Sequence, residues 1–213
     1  MSSGRGIARH GRRPMSTSRM EAFSDGVFSI AATLLVLDIA LHPPGTPFEQ
    51  LRNAWPAYLG YVVSFLTIGA AWLAHSAMSD RLKGADSLLL RINLLLLLVI
   101  AVLPFPTKLV AEALQDVNGE RVFVTLYGLT LMTIRLLGFA LDSYARHEKL
   151  YESGPSDEEL QAERRDIWPT VAAYVIAILI GLALPTLAVA LYFALAVFLV
   201  TPFRDLRLML RRS

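Results

Sequence analysis

Several side chains that could do chemistry stand inside long apolar stretches of this chain: Asp25 and Asp38 in the first, Trp72 and His75 in the second, Asn93 in the third, Arg135 and Asp142 in the fourth. An ionisable group in a membrane-spanning segment is costly and faces protein or water rather than lipid, so each of these positions needs a partner or a task. Asp25 admits two readings. It is a proton relay or ion ligand, or it is an anchor hydrogen-bonded to neighbouring helices. Ser24 beside it, Trp72 and His75 on one helical face, and Asn93 supply the donors and acceptors of an anchor, the reading their positions favour. Asp38 lies about 20 Å further along the same helix. It is either an interfacial residue in water or, if this helix lines a pore, one of a ring of carboxylates attracting cations to the outer mouth. Arg135 calls for Asp142 or Asp25 as its partner. A single arginine is not the series that a voltage sensor carries.

Other chemistries find no support. The chain has no cysteine, so no disulfide, thiolate metal site or cysteine nucleophile is available. His75 has no second His, Cys or carboxylate at ligand spacing in its own helix, and no metal or other cofactor is expected. There is no phosphate-binding glycine loop, no Gly-Tyr-Gly potassium filter and no nucleophile elbow. An enzyme is therefore not expected. An intramembrane one built on Asp25 and His75 would need water to reach a site placed behind the first helix.

That first helix carries a second feature. At about 100° per residue, Ile30, Thr33, Leu34, Leu37 and Leu41 share one stripe, with Asp25 nearly opposite and Asp38 at its edge. Such a stripe is either a helix–helix packing seam or a pore lining. Apolar rings gate ions by dewetting, and a hydroxyl ring offers oxygens to a partly dehydrated cation. One stripe cannot enclose a symmetric pore, so the second reading requires an oligomer.

These positions are carried by apolar runs long enough to cross a bilayer. The chain has 213 residues, 54% of them hydrophobic, with a mean hydropathy of +0.49. A crossing takes roughly 20 helical residues, and six runs qualify, at about 19–42, 54–78, 88–110, 122–144, 167–184 and 186–203. The expected fold is an all-α integral membrane protein with six transmembrane helices per chain over residues 19–205. Residues 1–18 read as a disordered, basic cytoplasmic tail, unlike a signal peptide. Residues 206–213 read as a basic cytoplasmic end. The alternation of arginine with Leu and Met from Arg204 to Arg212 suits a membrane surface rather than nucleic acid.

Punctuation sets the boundaries. Pro43 ends the first run, Pro56 starts the second, Pro104 and Pro106 kink or finish the third, and Pro185 divides the last two into a tight hairpin. Gly60 and Gly69 admit close helix approach. Asn118-Gly119 marks a turn, and Ser156 to Glu159 fits a capping box opening a short surface helix at 157–165. Sixteen Lys and Arg fall on the side of the tail and three, Arg52, Lys108 and Arg121, on the other. That bias places both termini in the cytoplasm and the protein in the cell membrane.

Arg19, Phe23, Ser24, Asp25 and Gly26, followed by the Ile/Thr/Leu stripe, resemble the first helix of the transmembrane protein 175 family, potassium-permeable channels of bacteria and animal endolysosomes. The resemblance is sharpest over 19–38. It implies a homotetramer with four first helices around a central pore, since one six-helix unit is present here. It implies that Ile30, Leu34 and Leu37 form the constriction and that Thr33 is linked to potassium preference. It further implies that Arg19, Phe23, Ser24, Asp25, Trp72, His75 and Asn93 hold the first helix against its neighbours. The function implied is passive potassium conduction, with potassium favoured over sodium; the partners are further copies of the chain and the lipid bilayer, and no nucleic acid. The alternative is a secondary transporter of a small ion or solute. It would need a midplane site at broken helices, whereas Pro104, Pro106 and Pro169 lie near span ends.

Overall fold

The computed structural model describes residues 16–39, 44–114, 120–152 and 157–201. Helix α1 (Ser18–Leu34) continues as a 3-10 turn over Leu35–Asp38. Then follow α2 (Pro47–Asn53), α3 (Trp55–Ser79), α4 (Ser87–Val102), α5 (Pro104–Ala113), α6 (Glu120–His147), α7 (Asp157–Gly181) and α8 (Pro185–Val200). Among the described residues four stretches are long and apolar enough to cross a membrane: Ser18–Asp38, Trp55–Ser79, Ser87–Ala113 and Arg121–His147. Ile167–Gly181 and Pro185–Val200 are apolar but shorter.

The first span departs from the single helix expected at 19–42. Its last turn tightens: the Ile39 N–H bonds to Val36 O at 3.1 Å, an i to i−3 bond, and Ile39 leaves helical space at φ −80 and ψ 86. Leu41 and Pro43 lie outside the described residues, as do the tail before residue 16, Asn118-Gly119, Ser156 and the arginines after 201. The short surface helix expected at 157–165 is instead the start of α7, which runs on through Pro169. A proline removes one N–H and is carried within a long helix as a local bend. The third run divides at Leu103, where Pro104 enters the first turn of α5 and no helical N–H is lost. Helix α2 was not foreseen. Thr46 and Glu49 cap it reciprocally, with Thr46 N–H donating to the Glu49 carboxylate at 2.8 Å and Glu49 N–H to Thr46 Oγ1 at 3.4 Å. The Thr46 N–H holds the Glu49 carboxyl below its ordinary range, so the cap persists above that range and is lost as pH falls through it.

Helix α1 packs on α3 and α4, α3 on α5 and α8, and α6 on α4, α5 and α7. Lipid tails are as apolar as leucine, so close approach and hydrogen bonds hold such helices together rather than water exclusion. Gly60 serves this purpose: a Cβ there would stand 3.3 Å from Thr107 Cγ2. At Gly69 a Cβ would meet nothing within 4 Å, so among the described residues the tight contact made at Gly60 is not repeated there. Beside Gly60, the buried Ser64 hydroxyl shares hydrogen bonds of 2.7 Å with Thr107 Oγ1 and with Tyr127 Oη, joining α3, α5 and α6.

A second tie closes one end of the bundle. Asp86 caps α4 by accepting from Leu88 N–H at 3.1 Å and Leu89 N–H at 2.8 Å, and it also accepts from Tyr144 Oη of α6 at 2.6 Å. Helix α6 ends in a Schellman motif: Leu150 N–H bonds to Ala145 O at 2.8 Å and Lys149 N–H to Arg146 O at 3.0 Å, with Lys149 at φ 55. The strand-like residues beyond it pair with the α3–α4 loop through Lys83 N–H to Leu150 O and Glu152 N–H to Arg81 O, each 2.9 Å.

Gly128 sets a packing limit that can be measured. A Cβ there would overlap the Tyr192 hydroxyl and stand 2.6 Å from the ring carbon bearing it and 2.8 Å from Ile178 Cγ1. Gly128→Ala gains about 1 kcal/mol of helix propensity, but overpacking costs about 1–3 kcal/mol, so the strain wins. Gly128→Ala is expected to lower the melting temperature of the detergent-purified protein by several degrees in a fluorescence-detected thermal unfolding assay; an unchanged or raised value would show that Tyr192 moves freely.

Candidate functional site

Helix α1 has two faces with different fates. Met20, Ser24, Phe28, Ala31 and Leu35 recur at helical spacing and are all buried. The opposite face is open in the single chain: Ile30 is 60% exposed, Leu34 42% and Leu37 73%. Thr33 is exposed as well, and its hydroxyl donates to Ile30 O at 2.9 Å. That bond leaves the oxygen's lone pairs available on the open face. Leu37 and the half-buried Asp38 sit in the 3-10 turn.

The buried face is held by a relay of side chains. His75 of α3 and Asn93 of α4 meet at 2.8 Å through Nε2 and Oδ1, and Asn93 Nδ2 donates to Ser24 Oγ of α1 at 3.0 Å. An amide oxygen only accepts, so His75 Nε2 carries the proton and donates it to Asn93. All three residues are buried. Phe28 packs against the imidazole of His75, with ring centroids 5.5 Å apart and the planes tilted by 55°. At the edge of this contact, Trp72 Nε1 donates to Asp25 Oδ1 at 2.9 Å. The structure thus brings together Ser24, His75 and Asn93 in one chain of bonds and Asp25 with Trp72 in another. Arg19 and Phe23 lie on exposed surface, away from the buried relay.

Arg135 corrects an expectation. Neither carboxylate proposed for it is its partner. Asp142 accepts from Arg146 Nε at 2.7 Å and stands 2.5 Å from Arg146 Nη2, and it also accepts the Tyr151 hydroxyl, while Asp25 is held by Trp72. Arg146 lies one helical turn beyond Asp142 and takes it by the ordinary i, i+4 contact. Burial and the Asp142 carboxylate hold the Tyr151 phenol protonated, well above its usual range. Arg81 lies over the Tyr151 ring at 5.3 Å. Nothing in the sequence marked Tyr144, Tyr151 or the Ser64–Thr107–Tyr127 cluster, because their partners come from other helices and leave no local pattern. Among the described residues no group of three or more His, Cys, Asp or Glu could hold a metal ion.

The relay carries a definite cost if cut. Asn93→Leu leaves the His75 N–H and the Ser24 hydroxyl buried without partners, at about 1–3 kcal/mol for each unsatisfied group. Thermal unfolding of the purified protein should show a clear loss for Asn93→Leu. Asp25→Asn keeps an acceptor for Trp72 and should lose much less. Equal stability of Asn93→Leu and the parent would mean that α1 is held by packing alone.

Comparison with known proteins bears on this helix directly. A sequence model of the family described as endosomal/lysosomal potassium channel TMEM175 matches residues 19–104. A potassium channel of Streptomyces collinus is 41% identical over 128 residues, 59% of this chain and 62% of that protein. One from Chamaesiphon minutus is 31% identical over 189 residues, 85% of this chain and 92% of that protein. The crystal structure of a lysosomal potassium-selective channel TMEM175 homolog from Chamaesiphon minutus superposes with a TM-score of 0.74 at 30% identity, covering 86% of this chain and 95% of that one. The endosomal/lysosomal proton channel TMEM175 of Gallus gallus is 37% identical over 118 residues, only 24% of its own length.

Proposed function

This chain belongs to the TMEM175 family of ion channels, and we propose that it conducts potassium passively, in preference to sodium, as a homotetramer of six-span subunits with both termini in the cytoplasm. The observation that carries this reading is the division of α1. One face is clamped to α3 and α4 through Ser24, Asn93 and His75, while the aliphatic stripe opposite is turned out of the chain. A helix fixed in rotation with such a stripe outward can line an axis shared by several copies.

Four copies would stack Ile30, Leu34 and Leu37 as apolar rings. Successive rings lie about 5–6 Å apart along the axis, so a cation sheds water over a short, dry path and conduction is controlled by dewetting. Thr33 would place hydroxyl oxygens between the rings, where a weakly hydrated cation gains most from them. Asp38 would form the outer-mouth ring that concentrates cations. Ser24, Asp25, Trp72, His75 and Asn93 act in this reading as the anchor of α1 and take no part in conduction. No reaction and no cofactor belong to it. Potassium is preferred to protons as the permeant ion because the open stripe carries no titratable side chain, and because two bacterial relatives that this chain covers over 92% and 100% of their length bear the name potassium channel. The apolar helices Ile167–Gly181 and Pro185–Val200 supply the fifth and sixth spans as a hairpin.

The test is a reversal potential in a planar bilayer holding the purified protein, with potassium on one side and sodium on the other. The current should reverse toward the potassium equilibrium potential. Leu34→Ala should raise unitary conductance by about fivefold, the effect of lowering a barrier by about 1 kcal/mol. Thr33→Ala should keep the current and move the reversal potential toward zero. Saturable exchange without such a current would favour a secondary transporter, and unchanged conductance in Leu34→Ala would move the constriction elsewhere.

A further inference from the structure

Behind the anchor of α1 lies a cavity of about 320 Å³ walled by α3, α6, α7 and the end of α8. Its chemistry is uneven. Ala70, Ala74, Leu131, Phe139 and Leu199 make it apolar along its length, whereas Arg81, Arg135 and Arg146 bring three guanidinium groups to it. Among the described residues Asp142 is the one carboxylate in the lining, and Arg146 and Tyr151 already hold it. His75 in the same wall donates to Asn93. Arg135 enters from the middle of α6, and its buried Nε has no hydrogen-bond partner among the described residues. A buried donor on a cation without an acceptor is costly, and an intramembrane arginine is retained only with a counter-charge or a path to water.

We propose that this cavity binds the anionic headgroup of a membrane lipid, with Arg135 as its principal contact. The unpartnered Nε of Arg135 calls for an acceptor, and an anionic one suits a guanidinium best. Guanidinium donors match the oxygens of a phosphate diester, and basic pockets between membrane helices suit anionic headgroups. A bare phosphate would leave most of the volume and all of the apolar wall unfilled, whereas a lipid covers that wall with its acyl chain. Arg81 and Arg146 lie beyond the ends of the apolar portions of α3 and α6, so the headgroup enters at bilayer-interface depth and its phosphate reaches inward to Arg135. This site lies off the α1 stripe and does not depend on which ion passes there.

The purified full-length protein in neutral detergent is titrated with phosphatidylglycerol, phosphatidylcholine or inorganic phosphate. Retained lipid is counted by native mass spectrometry and stability is followed by thermal unfolding. Phosphatidylglycerol should be retained in preference to phosphatidylcholine and should raise the melting temperature. Arg135→Gln should weaken its binding by about tenfold, the effect of losing one charge-assisted hydrogen bond. Gly138→Leu supplies an independent probe: the position lines the cavity, and a Cβ there meets no atom within 4 Å, so a side chain can begin there without a clash. It should weaken lipid binding similarly and leave the lipid-free melting temperature unchanged or higher. Equal retention of the two lipids, equal protection by inorganic phosphate, or undiminished phosphatidylglycerol binding in Gly138→Leu would each overturn the proposal.

Discussion

Within a bilayer every buried polar group must find its partner in the protein, and in this chain that constraint is met where Asn93 joins His75 of α3 to Ser24 of α1. The link uses an amide, whose N–H and C=O offer a donor and an acceptor to two different helices at once. Its position fixes α1 in rotation as well as in depth. With Ser24, Phe28 and Ala31 turned inward, Ile30, Leu34 and Leu37 have no place in the core. The outward stripe is thus a consequence of the inward bonds.

The remaining carboxylates follow the same logic away from α1. Asp86 is taken by the start of α4 and by Tyr144, and Asp142 by Arg146 and Tyr151. Each ties α6 to a loop or terminus at the end of the bundle where α3 finishes. Together with the paired backbone of Lys83 and Leu150 they make a polar collar around that end. The middle of the bundle is joined by Ser64, Thr107 and Tyr127. Rigidity is therefore distributed over two levels, and α1 is added to it through a third.

Much of this was legible in the sequence, and the rest was not for identifiable reasons. Ser24, His75 and Asn93 could be grouped because each is a polar residue within an apolar run at one depth, and Trp72 stands one turn from His75. The stripe on α1 could be read because five side chains, Ile30, Thr33, Leu34, Leu37 and Leu41, recur on one helical face. Arg135 was assigned the wrong partners because depth and spacing name Asp142 as a neighbour but do not reveal that Arg146 reaches it first. Helix α2 escaped because it is short and amphipathic rather than apolar, although Thr46, Pro47 and Glu49 do spell its cap. The continuity of α7 was hidden because the capping box at Ser156 to Glu159 reads as the start of a short helix of its own, whereas in the folded chain one helix runs on through Pro169.

The 3-10 turn at the end of α1 gives its outermost side chains a geometry that a uniform helical wheel misplaces. Residues advance about 120° and 2.0 Å each in such a turn instead of about 100° and 1.5 Å. Over the three steps from Leu34 to Leu37 the difference amounts to about 60° of azimuth and about 1.5 Å of height. Leu37 therefore owes its bearing to the pitch of the backbone as much as to its own identity. The segment from Leu35 to Ile39 behaves like the thread of a screw: whatever loosens or tightens it turns the tip of the helix, and it does so with every side chain of the stripe left as it is.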